Sequence, residues 1–182
     1  MTNGNVHFGH QPRVVLVGPP GSGKTTIGRR LSRALNCDLV DSDAMIEQAK
    51  GKPCGEVYSE LGEVAFREFE ATIVAKALES NGVVSLGGGA VLAESTRHLL
   101  EAMTVIHLDV TAEEGVRRTG EDDSRPVLAS GNPIARYQEL LDQRRECYRS
   151  VADFKVRTDG RTPQQSVGDI LGFLEAAEGL QS

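Results

Sequence analysis

The stretch "GPPGSGKT", Gly18 to Thr25, constrains this chain more than any other. It follows an apolar run, Val14–Val17, and opens an amphipathic segment, so a strand must turn into a helix across a glycine-rich loop. In that context the pattern G-x-x-x-x-G-K-[ST] is a phosphate-binding loop. Its glycines let backbone N–H groups converge on phosphate oxygens, and the helix N-terminus adds its positive dipole. Lys24 can then reach the outer phosphates. Thr25 can offer its hydroxyl to Mg²⁺, an ion that keeps several waters and takes few protein ligands.

The remaining pattern supplies a sheet around that loop. Apolar runs at Val14–Val17, Leu39–Val40, Val83–Leu86, Val105–Leu108 and, more weakly, Phe154–Val156 alternate with amphipathic segments, as βαβ units on a parallel sheet do. Helices are expected from Lys24 to Leu35, with Ile27, Leu31 and Leu35 on one stripe, and from Val64 to Leu78, with Phe66, Phe69, Ile73 and Ala77 on one face. Gly82 is expected to close the second near its C-terminus. Further helices are expected at Gln138 to Val151 and Gln164 to Ala177. The fold class is therefore α/β, a three-layer αβα P-loop NTPase-type fold with a central parallel sheet of about five strands.

With 182 residues, 39% of them hydrophobic, the chain has enough material for one core, expected as a single domain over 13–178 behind a disordered tail at 1–12. Cys37, Cys54 and Cys147 are odd in number and lack a CxxC pair, and the first residues resemble neither a signal nor a transit peptide, so a cytoplasmic protein is expected. No apolar run is long enough to cross a membrane. A net charge of −6 argues against a general nucleic-acid binder. Nothing marks an apolar association surface, and a monomer is the expectation.

Three further features carry chemistry. The second strand runs into "DSD", Asp41 to Asp43, whose two carboxylates would point the same way on extended backbone; one could serve the metal's water shell and the other a substrate hydroxyl. Ser42 or Asp43 could instead cap the helix "AMIEQAK", and the two roles can coexist. "VVSLGGGAV" puts Gly87, Gly88 and Gly89 at the end of the third strand, where they make either a plain turn or a place for something to lie against bare backbone. Arg67, with Glu70 one turn on, Arg125 in "TGEDDSRP" and Arg144 in "DQRREC" are each ordinary surface charges if taken singly; together they suit capture of carboxylates and phosphates.

In this order and spacing, "GPPGSGKTTIGRRLSRAL", "LVDSD", "GEVAFREFE", "SLGGGAV", "EGVRRTGEDDSRPVL" and "RYQELLDQRRECYRSVA" resemble the shikimate kinases from about Arg13 to near Leu174. The resemblance implies ATP phosphates on Gly21, Ser22, Gly23, Lys24, Thr25 and Thr26, with Mg²⁺ held by Thr25 near Asp41. It implies that Asp43 takes the ring hydroxyls of shikimate, that Arg67 and Arg144 clamp its carboxylate, and that the Gly87–Gly89 backbone contacts it. Arg125 would descend from a mobile lid at about 119–133, and Arg161 of "DGRTP" would border the adenine. The implied reaction moves the γ-phosphoryl of ATP to the 3-hydroxyl, with Lys24, Arg125 and the metal balancing charge and Asp43 orienting, or also deprotonating, the hydroxyl.

Several residues stay open at this level. The acidic run Glu121, Asp122, Asp123 should repel a triphosphate unless it faces solvent. Asp109, ending "TVIHLD", is a second candidate metal-side carboxylate, ranked below Asp41. His107 is expected to be a packed core residue, His7 and His10 to belong to the tail. Tyr58 suits the substrate pocket and the core equally, and Cys54 is a small apolar filler. Two rival functions are a gluconate-type kinase, which should lack this triplet, lid and arginine spacing, and a nucleotide-binding module without catalysis, for which Lys24, Asp43 and the three arginines have no physical purpose.

Overall fold

A computed structural model describes residues 11–120 and 131–180. The expected tail at 1–12 lies almost wholly outside these residues, as do His7, His10, the acidic run Glu121–Asp123, Arg125 and most of the 119–133 lid.

Five strands, β1 (Val14–Val17), β2 (Leu39–Asp41), β3 (Val83–Ser85), β4 (Val105–Asp109) and β5 (Phe154–Arg157), form one sheet in the order β2-β3-β1-β4-β5, with every pairing parallel. Strand order reverses beside β1, so a crevice opens at the C-terminal ends of β1 and β3, where α/β folds bind ligands. All four residues of β1 are buried, which is why it reads as an unbroken apolar run. Its side chains still alternate. Val14 and Leu16 pack with α1 (Lys24–Ala34) and α8 (Pro163–Gly179) through Ile27, Leu31, Val167, Ile170 and Leu174. Val15 and Val17 face the opposite layer, Val74, Ala77, Leu100 and Tyr148 of α4 (Glu63–Ala77), α5 (Glu94–Leu100) and α7 (Pro133–Val151). Helix, sheet and helix make the three layers of the P-loop NTPase fold.

Two satellite clusters build the crevice walls. One joins α2 (Ser42–Lys50), α3 (Cys54–Leu61) and α4 through Ile46, Val57 and Phe66. The other joins α6 (Ala112–Thr119) to α7 through Val110, Ala112 and Tyr137.

All five expected strands are present; the helices differ in detail. α7 begins at Pro133, five residues before the expected Gln138, because the Asn132 side chain accepts from the N–H groups of Ile134 and Ala135 and Pro133 is preset for a first turn. α4 ends at Ala77 with Leu78 as its cap, and Gly82 serves another purpose: a side chain there would strike the Asp38 backbone. The buried stripe of α4 is Phe66, Glu70, Val74 and Ala77, so a carboxylate occupies a core position, while Phe69 and Ile73 are only partly buried. The helices α3, α5 and α6 were not expected; each is 7 or 8 residues, too short for a clear 3.6-residue repeat.

Candidate active site

The loop between β1 and α1 turns on glycines that other residues replace poorly. Gly21 and Gly23 have φ of 76° and 97°, the left-handed region, and Gly23 gives α1 no side-chain cap. The first turn of α1 also lacks acidic residues, so its N–H groups and dipole remain directed at the crevice. Lys24 folds over the loop, donating to the carbonyls of Gly18 at 2.7 Å and Pro19 at 3.0 Å. Thr25 and Thr26 are exposed behind it. Gly21, Gly23, Lys24, Thr25, Thr26, Asp41, Asp43, Ser85, Leu86 and Gly88 line one cavity of about 290 Å³.

The DSD segment reaches this cavity by a route the sequence did not suggest. Asp41 is extended, with φ −116° and ψ 121°, but α2 starts at Ser42, so Asp41 and Asp43 do not share one strand face. Asp41 itself is the cap: its Oδ1 accepts from the N–H groups of Asp43 at 2.9 Å and Ala44 at 3.1 Å. Ser42 is fully buried and its hydroxyl accepts from the Gly87 N–H at 2.9 Å, tying the start of α2 to the triplet. Capping and cavity lining therefore coexist, in Asp41.

None of Gly87, Gly88 and Gly89 has a positive φ, so no turn conformation requires them. Close approach does. A Cβ on Gly87 would collide with the Asp43 carboxylate and lie 3.1 Å from Glu70 Oε2. One on Gly89 would fall within the Arg67 guanidinium. One on Gly88 would lie 3.0 Å from Pro20 and 3.3 Å from Arg144 Nη1. The triplet thus lets Asp43, Arg67 and Arg144 gather around one short backbone.

Arg67 donates to Glu70 Oε1 at 2.7 Å, the expected pair one turn apart. Burial raises the Glu70 carboxyl above its ordinary value of 4.5, opposed by the Arg67 guanidinium. Arg67 Nε is buried without an acceptor among the described residues. The guanidinium sits 5.8 Å from the Tyr58 ring and 5.3 Å from that of Phe66. Tyr58 packs edge-on against Phe66 in the cluster of α2, α3 and α4, the expected core placement, with its ring beside Arg67. Cys54 is more than filler: its thiol lies 3.7 Å from Asp43 Oδ1, and burial with that carboxylate pushes it up to about 12.

On the other side of the phosphate loop, Arg161 lines a second cavity of about 250 Å³ with Ser22, Gly23, Thr26, Ile27, Arg118, Thr158, Pro163 and Ser166. It pairs with Asp169 at 2.6 Å. Arg118 borders both cavities and escaped the sequence reading. It donates to the Gly21 carbonyl at 3.2 Å and to Thr158 at its hydroxyl, 2.9 Å, and carbonyl, 3.0 Å, while Glu114 holds its Nε at 2.8 Å. The Thr158 hydroxyl in turn donates to Ser22 at 3.1 Å. Nothing in "GVRRT" distinguishes this arginine from its exposed neighbour Arg117. Asp109, the alternative metal carboxylate, is engaged by Arg157 at 2.8 Å and Lys155 at 3.5 Å. His107 is a core residue, stacked on Tyr148 at 4.8 Å, with burial holding it down at about 4.

A P-loop fold with a phosphate cradle, a carboxylate beside it and two arginines at the far side of one crevice defines an ATP-dependent phosphotransferase with a hydroxyl acceptor. The shikimate kinase family model matches residues 20–175. A shikimate kinase of Corynebacterium diphtheriae is 62% identical over 165 residues, covering 91% of this chain and 95% of its own. The structure of shikimate kinase from Acinetobacter baumannii in complex with shikimate superposes with a TM-score of 0.86 at 32% identity, covering 93% of this chain and 96% of that one. This chain belongs to the shikimate kinase family. A gluconokinase from Sinorhizobium meliloti shares the fold, with a TM-score of 0.60, but at 17% identity over 94% of this chain and 97% of its own that likeness concerns fold alone.

Proposed function

We propose that this chain transfers the γ-phosphoryl group of ATP to the 3-hydroxyl of shikimate, releasing shikimate 3-phosphate and ADP, in the route to chorismate and the aromatic amino acids. The observation that carries this reading is the shared crevice: Lys24 and Thr25 of the phosphate loop line the same cavity as Asp43 and Gly88, with Arg144 against Gly88 and Arg67 against Gly89. An anionic, hydroxylated ring suits that wall. Its carboxylate would meet Arg67 and Arg144, and a ring hydroxyl would donate to Asp43.

Transfer passes through a loose transition state, so positioning and charge neutralisation matter more than a strong base. Asp43 orients the hydroxyl and accepts its proton as transfer proceeds. Lys24 neutralises the phosphates, and Arg125, which lies outside the described residues, would add a second positive charge. Arg118 and Arg161 border the base.

The donor set also fits Mg²⁺. Among the described residues no group of three or more His, Cys, Asp or Glu side chains is placed to hold an ion. Mg²⁺ uses few protein ligands, and the Thr25 hydroxyl with an Asp41 carboxylate beside the phosphate cradle meets that need. The ion would neutralise charge on the phosphate oxygens. Residues 13–178 would act as one catalytic domain, as a monomer in the cytoplasm; the three cysteines are unpaired, and no described helix is long and apolar enough to cross a membrane.

ADP release with shikimate, gluconate or no acceptor tests the assignment. Release is expected with shikimate alone. Equal release with every acceptor would overturn it.

A further inference from the structure

Tyr137, Arg144 and Tyr148 stand at i, i+7 and i+11 on α7, within about 40° of one another around an axis of 3.6 residues per turn. Both tyrosines are buried, at 0% and 2% exposure, and both phenols reach backbone on the crevice. The Tyr137 hydroxyl donates to the Pro20 carbonyl in the phosphate loop at 2.5 Å, and its ring fills the space beside Gly115, where any side chain would collide with it. The Tyr148 hydroxyl donates to the Gly88 carbonyl in the triplet, also at 2.5 Å, with its ring against His107 and the Arg144 guanidinium beside its phenol. The two loops themselves meet at Pro20 and Gly88, since a Cβ on Gly88 would touch Pro20 at 3.0 Å. One helix face therefore holds the nucleotide loop at one point and the acceptor-side loop at another, with Arg144 between them.

A buried phenol can find a partner in many places, and two on one face that each choose the carbonyl of a different loop have a mechanical consequence. In-line transfer depends on the separation of the γ-phosphate from the attacking oxygen, and small misplacements are costly. Pro20 belongs to the segment that shapes the cradle, and Gly88 to the segment on which the acceptor rests. Their spacing therefore bears on that of the groups the two segments would hold.

We propose that Tyr137 and Tyr148 are positioning residues that fix the phosphate loop and the glycine triplet at the spacing in-line transfer requires, Tyr137 on the nucleotide side and Tyr148 on the shikimate side. The division rests on the placement of shikimate proposed above. It is read by titrating ATP and shikimate separately into Tyr137→Phe and Tyr148→Phe and measuring kcat for each. Tyr148→Phe is expected to weaken shikimate about fivefold, the size of one neutral hydrogen bond, with ATP within about twofold; Tyr137→Phe is expected to do the reverse. Turnover should fall in both. Because each variant supplies a ratio of two affinities from one sample, a partly folded preparation lowers both amplitudes and leaves the ratio intact. Equal weakening of both ligands in both variants, or a lowered Tm with unchanged affinities and kcat, would overturn the proposal and leave the phenols as ordinary core supports. Arg144→Ala separates the two readings: if it leaves shikimate binding intact, the placement of shikimate fails and this division with it, whereas lost binding in Arg144→Ala beside undivided tyrosine effects defeats the division alone.

Discussion

The guanidinium of Arg67 occupies the space into which a side chain on Gly89 would project. A methyl group there must displace the arginine from Glu70 and from the crevice. Gly89→Ala is expected to weaken shikimate about tenfold or more, the loss of a charge-assisted contact, while ATP affinity stays within about twofold. Calorimetric titration of each ligand into the variant checks this. Weakened ATP with unaltered shikimate would contradict it.

Glu70 is 2% exposed and Arg67 is its ion-pair partner. Removing the arginine leaves a buried carboxylate uncompensated, so Arg67→Ala should cost about 3 kcal/mol of unfolding free energy at pH 7, and Arg67→Ala/Glu70→Gln should recover much of it. Urea unfolding of the two proteins measures the difference, which a surface pair would not produce.

Two buried groups should shape stability against pH, with opposite signs. The Glu70 carboxyl is raised above 4.5 in the folded chain, first by burial, so between 4.5 and that raised value the folded state holds a proton the unfolded chain has lost. Its contribution declines as pH rises through that interval. His107 is lowered from 6.5 to about 4, mainly by burial, so there the unfolded chain holds the extra proton and stability falls as pH drops from 6.5 toward 4, by up to about 3 kcal/mol. Urea midpoints from pH 7 to pH 4 should therefore show less acid loss in His107→Phe and more in Glu70→Gln than in the natural chain.

Arg118 joins the Gly21 carbonyl to Thr158 and borders both cavities. Arg118→Ala is expected to raise the KM for ATP about tenfold with little change in that for shikimate. Steady-state kinetics with each substrate varied in turn reads the split.

The Cys54 thiol, pushed up to about 12 beside Asp43, is protonated throughout the physiological range. It should resist iodoacetamide at pH 8 in the folded protein and react once unfolded. Peptide mapping of alkylated samples follows it, and rapid native labelling of Cys54 would count against its placement.

Much of this molecule was legible in its sequence because much of it is local. The strand at Val14–Val17, the glycines of the phosphate loop and the lysine that follows need only neighbouring residues to define their geometry, and the Arg67–Glu70 pair needs only one helical turn. Short apolar runs identify strands buried on both faces, because such strands have no solvent side to break the pattern.

What the sequence by itself determined is the phosphate cradle, the parallel sheet and the residue types around the crevice. Tertiary structure alone decided what the glycine triplet is for, that Asp41 is both cap and cavity wall, that Glu70 lies in the core, and that Arg118 rather than Arg117 reaches the Gly21 carbonyl and both cavities. The reason is separation along the chain. Ser42 meets Gly87 across 45 residues, Pro20 meets Tyr137 across 117, and Ser22 meets Thr158 across 136. A glycine needed for its φ is visible in its own turn. One needed because an arginine on another helix must pass is visible only when the layers have packed.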